Sequence, residues 1–259
     1  MKTQGFTLVE LVSALVVLAL LGITVSSWLG FGARIYADSN ARSQASDELR
    51  FALLRLSREL ALAVPNSLRV AGDGSVQCLE WIVPRAAGTY LSLPLTTASA
   101  SVSVAPLTGY SFAADDQLLV AALTTAEVYA AASNQRRLLA AYNGSTTLTL
   151  NAITTFGRGS PASRFYIIDS PLSYCLRGGA LYRHGGYVLA DSQNAFANGG
   201  VLMAGHLANN LNLAAELPFV VAGANLSRQA IAQVRLLAAV ADGSEPIEFL
   251  HSVAVTNVP

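Results

Sequence analysis

The first sixty residues are dominated by a long apolar run that passes into an amphipathic one. Residues 6–33 read FTLVELVSALVVLALLGITVSSWLGFGA, and Glu10 is the single charged residue among them. As a helix this segment would be about 42 Å long, whereas about 20 apolar residues are enough to cross the hydrocarbon core of a bilayer. It is also too long for the apolar region of a cleaved secretory signal. The pattern therefore predicts one membrane-spanning helix.

The same helix is expected to continue as an amphipathic half over residues 34–64, which contain neither Pro nor Gly. Pro65 disfavours helix at the residue before it, so we predict a single helix from Phe6 to about Ala63. Its apolar residues recur three and four positions apart, which places them on one stripe facing a core. The stripe consists of Ala45, Leu49, Ala52, Leu53, Leu56, Leu60 and Ala63.

Three large apolar residues of this half, Phe51, Leu54 and Leu62, lie off the stripe. We expect them to be buried deeper in their own domain, because large apolar residues are usually buried. The alternative is that they contact neighbouring subunits.

From residue 65 to residue 259 the pattern changes to short alternating runs separated by turn signals, which is typical of β-strands. The turn signals are Gly72-Asp73-Gly74, Gly178-Gly179, Gly185-Gly186 and Asp242-Gly243. We predict one hairpin between Leu176 and Tyr182 and a closing hairpin around Asp242-Gly243. The runs occupy 75–84, 90–95, 117–123, 146–152, 164–170, 172–190, 231–240 and 246–259.

The predicted fold class is therefore α+β, with a long N-terminal membrane-spanning α-helix packed on a β-rich globular head. Residues 96–133 are rich in Ala, Ser and Thr, and residues 192–215 are rich in Asn, Ala and Gly. We expect both segments to be surface insertions, and the pattern indicates no second domain in the head.

Composition narrows the classes of function. Of 259 residues, 53% are apolar and only 12% are charged, with 16 basic residues against 16 acidic ones. The mean hydropathy is +0.45. Such a chain is not intrinsically disordered, and nucleic acid is not expected as a partner because there is no basic field.

Searches for catalytic and metal-binding patterns give no candidate. The three histidines lie far apart, and the chain has no Cys-x-x-Cys pair, phosphate-binding glycine loop or nucleophile elbow. We expect no enzymatic activity, no cofactor and no metal. Calcium is the one alternative, and its carboxylates would come from two acidic clusters. These are Asp115 with Asp116, and Asp242 with Glu245 and Glu248.

The junction at residues 5–11, Gly-Phe-Thr-Leu-Val-Glu-Leu, resembles the signal of type IV prepilins and of type II secretion pseudopilins. The resemblance implies that residues 1–5 are a leader, cleaved between Gly5 and Phe6 by a prepilin peptidase that then methylates the amino group of Phe6. It also implies a head of residues 65–259 carried by a helix that is half membrane anchor.

In that family the acid at the position of Glu10 pairs with the terminal amine of an adjacent subunit during assembly. A charge deep in a bilayer costs about 2.5–3.5 kcal/mol. The alternative is therefore that Glu10 lies at the level of the lipid headgroups, where it is tolerated because it reaches water. One departure from the family is Gly22, which stands where many members have a helix-softening proline.

Residues 30–42, 56–70 and 174–187 look most like minor subunits of the MSHA (mannose-sensitive haemagglutinin) pilus of the MshO type, which are related to J-type pseudopilins. This resemblance implies a minor subunit for pilus assembly, in the inner membrane with a periplasmic head, at or near the filament tip. Its partners would be the processing enzyme, other major and minor pilins, the inner-membrane assembly platform and the lipid bilayer. A secretion pseudopilin and a tip adhesin on the same scaffold are the alternatives.

The two cysteines, Cys78 and Cys175, both fall in the head. The implied periplasmic location is oxidising, so we predict a disulfide between them. Two free buried thiols are the alternative.

Overall fold

The computed structural model describes residues 7–223, 229–240 and 245–255. Its layout is α+β, as predicted, with one long N-terminal helix and a β-rich remainder. The helices are α1 (Leu8–Ala61), α2 (Thr125–Tyr129) and a 3-10 turn (Ala214–Glu216). The strands are β1 (Arg69–Gly72), β2 (Val76–Ile82), β3 (Ala86–Ser92), β4 (Ser99–Val104), β5 (Gln117–Leu119), β6 (Arg136–Tyr142), β7 (Thr147–Thr154), β8 (Arg164–Ile168), β9 (Pro171–Arg177), β10 (Ala180–Gly185), β11 (Val201–Ala204), β12 (Phe219–Ala222), β13 (Ala230–Ala238) and β14 (Ile247–Val255).

Helix α1 has two halves with different surroundings. It runs unbroken through Gly22, and every side chain of residues 7–44 is exposed. In the second half the predicted apolar stripe is buried, with Leu56 and Leu60 completely inaccessible. The side chain of Ala45, the first member of the stripe, lies outside the described set. The amphipathic pattern therefore predicted correctly which face of the helix meets the head.

The prediction that Phe51, Leu54 and Leu62 are buried is wrong. Their side chains are 62%, 60% and 63% exposed. The head covers only the stripe side of α1, and these residues lie on the other side of the helix. They form an apolar surface that the rest of the described chain leaves uncovered, named here the outer helix face.

Two antiparallel sheets form the main core with α1. One has the order β1-β2-β9-β10-β11 and the other β12-β13-β14. The predicted β9–β10 hairpin is present, and both of its turn glycines adopt a positive φ, 54° at Gly178 and 70° at Gly179, which favours glycine. Strands β13 and β14 pair as the second predicted hairpin, whereas its Asp242-Gly243 turn lies outside the described residues.

Six further strands close into a barrel of order β3-β4-β7-β6-β5-β8. The barrel is inserted between β2 and β9, which are themselves neighbours in the five-stranded sheet and pair from Ile82–Pro171 to Val76–Arg177. Its interior is a separate apolar cluster that includes Val102, Leu148 and Phe165. The head thus has a second cored unit that the sequence pattern did not indicate.

Both predicted surface insertions are therefore wrong in part. Residues 96–133 contain β4 and β5, which are barrel strands, and residues 192–215 contain β11, an edge of the five-stranded sheet. In β4 small hydroxyl residues alternate with buried valines, so the segment looks polar and loop-like by composition although it forms a strand with one face in a core.

The barrel lies at the end of α1 opposite the apolar half. Val64, just after the helix, shares an apolar cluster with barrel residues such as Leu119 and Ile168. Two hydrogen bonds join the same regions. The Asn66 side-chain amide donates to the Ala122 carbonyl at 2.9 Å, and the Tyr129 hydroxyl donates to the Ser67 carbonyl at 2.8 Å.

The predicted disulfide between Cys78 and Cys175 is present. The two residues face each other on β2 and β9, are fully buried and have Cα atoms 4.0 Å apart. The bond closes a loop of 97 residues that contains the whole barrel. For a loop of this size the chain-entropy model gives about 4–5 kcal/mol of stabilisation.

Candidate functional site

The first turn of α1 holds the acidic residue singled out from the sequence. Thr7 caps the helix: its hydroxyl accepts a hydrogen bond from the Glu10 amide at 3.3 Å. In return the Glu10 carboxylate accepts from the Thr7 amide at 3.3 Å and from the Thr7 hydroxyl at 3.1 Å. This reciprocal capping box satisfies helix donors that would otherwise be unpaired. Glu10 therefore has partners within its own chain, while Gly5 and Phe6 lie outside the described residues.

The surface around Glu10 is a shallow apolar groove along the helix. Its lining includes Ala14, Val17 and Leu21, one to three turns further on. The carboxylate is therefore the only charge on an otherwise apolar helix surface within residues 7–33. A partner that buried this groove would have to supply a cationic or hydrogen-bonding group, because an unpaired buried charge is costly.

Among the described residues, one helix is long and apolar enough to cross a membrane. The most apolar 18-residue window of α1 has a mean hydropathy of 2.6, and none of it is buried in the protein. Two hydroxyl side chains in this half of α1 are satisfied within the helix, as hydrocarbon surroundings favour. The Thr24 hydroxyl donates to the Leu21 carbonyl at 2.8 Å, and the Ser27 hydroxyl donates to the Thr24 carbonyl at 2.8 Å.

Glu59 attaches the second half of α1 to the five-stranded sheet. Its carboxylate accepts hydrogen bonds from Arg183 Nε at 3.0 Å and from the Tyr174 hydroxyl at 3.0 Å. Arg55, one turn earlier, donates to it at 3.2 Å, and the Trp81 indole donates to the Glu59 carbonyl at 3.3 Å. Three elements therefore meet at one carboxylate, which fixes the rotation of the helix and so determines which residues form the outer helix face.

A second, fully buried carboxylate joins the sheet to the barrel side. Glu80 on β2 accepts from Arg69 Nε at 2.8 Å and from the Tyr187 hydroxyl at 2.9 Å. The Arg69 guanidinium also lies 3.5 Å from the centre of the Tyr129 ring, on α2. A buried charge is stable only when it is paired and hydrogen-bonded. The cluster around Glu80 therefore favours one position of α2 relative to the five-stranded sheet.

An open cleft of about 590 Å³ lies beside this junction, lined by residues that include Glu59, Arg183 and His184. His184 is buried, and its ring stacks on Phe196 with centroids 4.1 Å apart. Burial and the neighbouring Arg177 guanidinium lower the pKa of the imidazole, which favours its neutral form. Arg183 is paired with Glu59, so the cleft's polar side chains serve to hold its walls together.

Among the described residues, the candidate calcium carboxylates are not brought together. Asp116 is buried and accepts from Arg85 at 3.0 Å and from the Tyr110 hydroxyl at 2.7 Å. Glu248 pairs with Arg235 at 2.9 Å, and Asp242 lies outside the described residues. Within the described part of the chain, no group of three His, Cys, Asp or Glu side chains is placed to hold a metal ion.

Several residues at the helix–head junction were not found from the sequence. The i,i+4 spacing of Arg55 and Glu59 indicated their pairing, but nothing local pointed to Arg183 or Tyr174, which are 124 and 115 residues away from Glu59. The outer helix face was seen only as an alternative. The outer helix face and the exposed half of α1 together form the candidate site, a largely apolar surface that the rest of the described chain leaves uncovered.

Comparison with known proteins gave no match: no family model, no curated protein and no solved structure is significantly similar to this chain.

Proposed function

We propose that this protein is a minor pilin-like subunit that is processed after Gly5 and enters a type IV pilus of the MSHA type. The observation that carries the proposal is the junction Gly-Phe-Thr-Leu-Val-Glu at residues 5–10, which runs into the first turn of α1. The first half of that helix is apolar and wholly exposed, and its second half is embedded in a β-rich head. This is the layout expected for a subunit stored in a membrane and later packed among other helices.

In this proposal the leader of residues 1–5 is removed by the prepilin peptidase, which methylates Phe6. The apolar half of α1 holds the subunit in the inner membrane with the head in the periplasm. On assembly Glu10 exchanges its contacts with Thr7 for the terminal amine of a neighbouring pilin, and the assembly platform moves the subunit out of the bilayer. The outer helix face of Phe51, Leu54 and Leu62 packs against adjacent subunits.

The inserted barrel favours a position at or near the filament tip. It packs at the end of α1 away from the apolar half and adds bulk to the head there. A terminal position leaves more room for such a head than a position within a repeating shaft. Deletion of the gene separates this proposal from the pseudopilin alternative: loss of pili with normal protein secretion supports it, and loss of secretion with normal pili overturns it.

The role of Glu10 is tested with the Glu10→Leu and Glu10→Gln variants. Both are expected to be processed and inserted like the parent chain but to be lost from sheared filaments by about tenfold or more, because neither can form the ion pair. Ser13→Ala is the matched control, since Ser13 lies one turn further along the helix and its hydroxyl donates to the Glu10 backbone carbonyl at 3.0 Å rather than to the carboxylate. Normal incorporation of both Glu10 variants would contradict the proposed contact.

A further inference from the structure

The open cleft beside the helix–head junction has bonding capacity that its walls do not use. Its volume of about 590 Å³ is in the range usual for sites that bind small molecules. The lining comes from the start of β9, the end of β10 and the residues next to them, where strands of the five-stranded sheet stop and the barrel begins. The cleft is therefore bordered by several elements that end at one place.

His184 holds a hydrogen-bond donor in a fixed position at this cleft. Its side chain is only 7% exposed, with the Phe196 ring stacked on it and Gly200 packed so closely that a Cβ there would lie 2.6 Å from the imidazole Cε1. Its Nε2 atom lies 3.3 Å from Arg177 Nη1. Because an arginine side chain only donates, Nε2 accepts this bond, and the imidazole carries its proton on Nδ1.

The Nδ1–H group of His184 is unused. Within the described part of the chain it has no hydrogen-bond partner. Only Arg136 Nη1 and Gln193 Oε1 are both enclosed and unpaired among the described side chains, so Nδ1 is open to the cleft that His184 lines. A buried side chain with an open donor is a group that a ligand can satisfy.

Arg183 adds further unused donors to the same lining. Its Nε donates to both oxygens of the Glu59 carboxylate, at 3.1 Å and 3.0 Å, and its two Nη groups form no hydrogen bond within the described residues. Arg55 pairs with the same carboxylate, and Arg177 lies behind His184. Three guanidinium groups and one carboxylate leave this end of the cleft with an excess of positive charge.

Asp169 supplies a negative charge elsewhere in the cleft. It lies between β8 and β9, is partly buried, and uses only Oδ1, which accepts from the amide and the hydroxyl of Ser170. Among the described residues its Oδ2 atom has no hydrogen-bond partner, and its carboxylate is not paired with a cationic side chain. The cleft thus has donors with positive charge on β10 and a free acceptor with negative charge before β9.

We infer that this cleft binds a short peptide with free termini, its carboxylate at Arg183 and His184 and its ammonium group at Asp169. Such a ligand satisfies both sets of unused groups. A simple anion would leave the Asp169 carboxylate unpaired, and a simple cation would leave the donors unpaired. The site lies in the head, so the inference does not depend on whether the chain enters a filament.

Apolar residues of the lining provide contact for the side chains of such a peptide. Val83, Leu172 and Val201 border the cleft, and Val201 is 60% exposed. A peptide with apolar side chains therefore fits this surface better than an amine or an acid without them.

Isothermal titration calorimetry of the full-length chain in mild detergent tests the inference with trialanine and trileucine, each with free termini. N-acetylated and C-amidated forms of both peptides remove one charge at a time. We expect saturable binding of at least one free tripeptide. Both of its blocked forms should bind about tenfold more weakly or worse, because each loses a charge-assisted hydrogen bond.

Asp169→Asn keeps the shape of the side chain and an acceptor for Ser170 but removes the negative charge. It is expected to weaken binding of the free tripeptide by about tenfold and to leave the affinity for the acetylated form unchanged, since that form has no ammonium group. Asp115→Asn is the matched control, because Asp115 is an exposed aspartate in the loop before β5, outside the cleft. It is expected to bind both forms like the parent chain.

The inference is overturned if neither free tripeptide binds, or if the Asp169 variant binds the free tripeptide as well as the Asp115 variant does. It is also overturned if acetylation does not weaken binding, since the cleft would then recognise a carboxyl end alone, as at the terminus of a longer chain. Unweakened binding of the amidated form would likewise exclude the contact of the carboxylate with Arg183 and His184.

Discussion

At the residue scale, single polar side chains determine how the parts of this protein are oriented. The Glu59 carboxylate accepts hydrogen bonds from Arg183 and Tyr174 of the sheet, and the Glu80 carboxylate accepts them from Arg69 and Tyr187. Both carboxylates sit where elements distant in sequence meet. Local spacing can indicate a pair on one helix, but it contains no information about partners more than 100 residues away, which is why these clusters were not predicted.

His184 gives a prediction for the pH dependence of stability. Burial and Arg177 lower the pKa of its imidazole in the folded chain, so between that pKa and the unfolded value of about 6.5 the unfolded chain binds more protons. The free energy of unfolding should therefore be independent of this group above about pH 7 and should decrease as the pH falls through 6.5. Urea unfolding of the full-length chain in detergent, followed by tryptophan fluorescence from pH 8 to pH 5, measures this.

The His184→Phe variant keeps the ring stacked on Phe196 and removes the titrating group, so the decrease should become smaller. His251→Phe is the control, because His251 is exposed on β14. An unchanged pH dependence in the His184 variant would show that its imidazole is not the cause.

At the element scale, the two faces of the second half of α1 have different roles. Leu56 is fully buried against the sheets, whereas Leu54, two residues earlier, is 60% exposed. Leu56→Ala should lower the free energy of unfolding by about 2–5 kcal/mol, the usual cost of this change in a core. Leu54→Ala should change it by less than about 0.5 kcal/mol, as for other surface positions.

The Leu54→Ala variant, which should leave the stability of the head unchanged, is expected to affect incorporation into filaments instead. If the outer helix face contacts neighbouring subunits, Leu54→Ala lowers the amount of chain in sheared filaments although the head stays stable. Equal recovery of the Leu54 variant and the parent chain would mean that this leucine is not part of a subunit contact.

Sequence patterns within a few residues of each other predicted the helix stripe and one hairpin correctly. The burial of the apolar stripe that runs from Leu49 to Ala63 on one side of α1 followed from helical periodicity, and the β9–β10 hairpin followed from Gly178-Gly179. The closed barrel did not follow, because its closure depends on pairings such as β3 with β8, about 80 residues apart. The alternation in β4 was present in the sequence, but its Ser and Ala content was read as loop composition.

At the scale of the whole molecule, the barrel is an insertion between two strands that pair with each other. Ile82 and Pro171, at its two ends, face each other in the five-stranded sheet, and the Cys78–Cys175 disulfide lies four residues further from the junction. The main core of α1 and the two sheets contains no barrel residue. The barrel and the part that carries the helix therefore have separate main cores, which meet at the apolar cluster around Val64 and at the contact between Arg69 and Tyr129.

Replacing residues 83–170 by a four-residue Gly-Asn-Gly-Gly linker should therefore give a chain that still forms the disulfide and is still processed. We expect it to enter filaments, since α1 and its packing are unchanged. Non-reducing electrophoresis with alkylation reports the disulfide, and immunoblotting of sheared filaments reports incorporation. A chain that forms the disulfide and accumulates in the membrane yet fails to enter filaments would show that the barrel takes part in assembly.

The central claim is that this chain is a processed pilin-like subunit, and mass spectrometry of its N-terminal peptide from sheared filaments tests it most directly. We expect a peptide that begins with N-methylated Phe6, followed by Thr7. A chain that still begins at Met1, that is cut at another bond, or that is absent from the filament fraction while present in the membrane would contradict it.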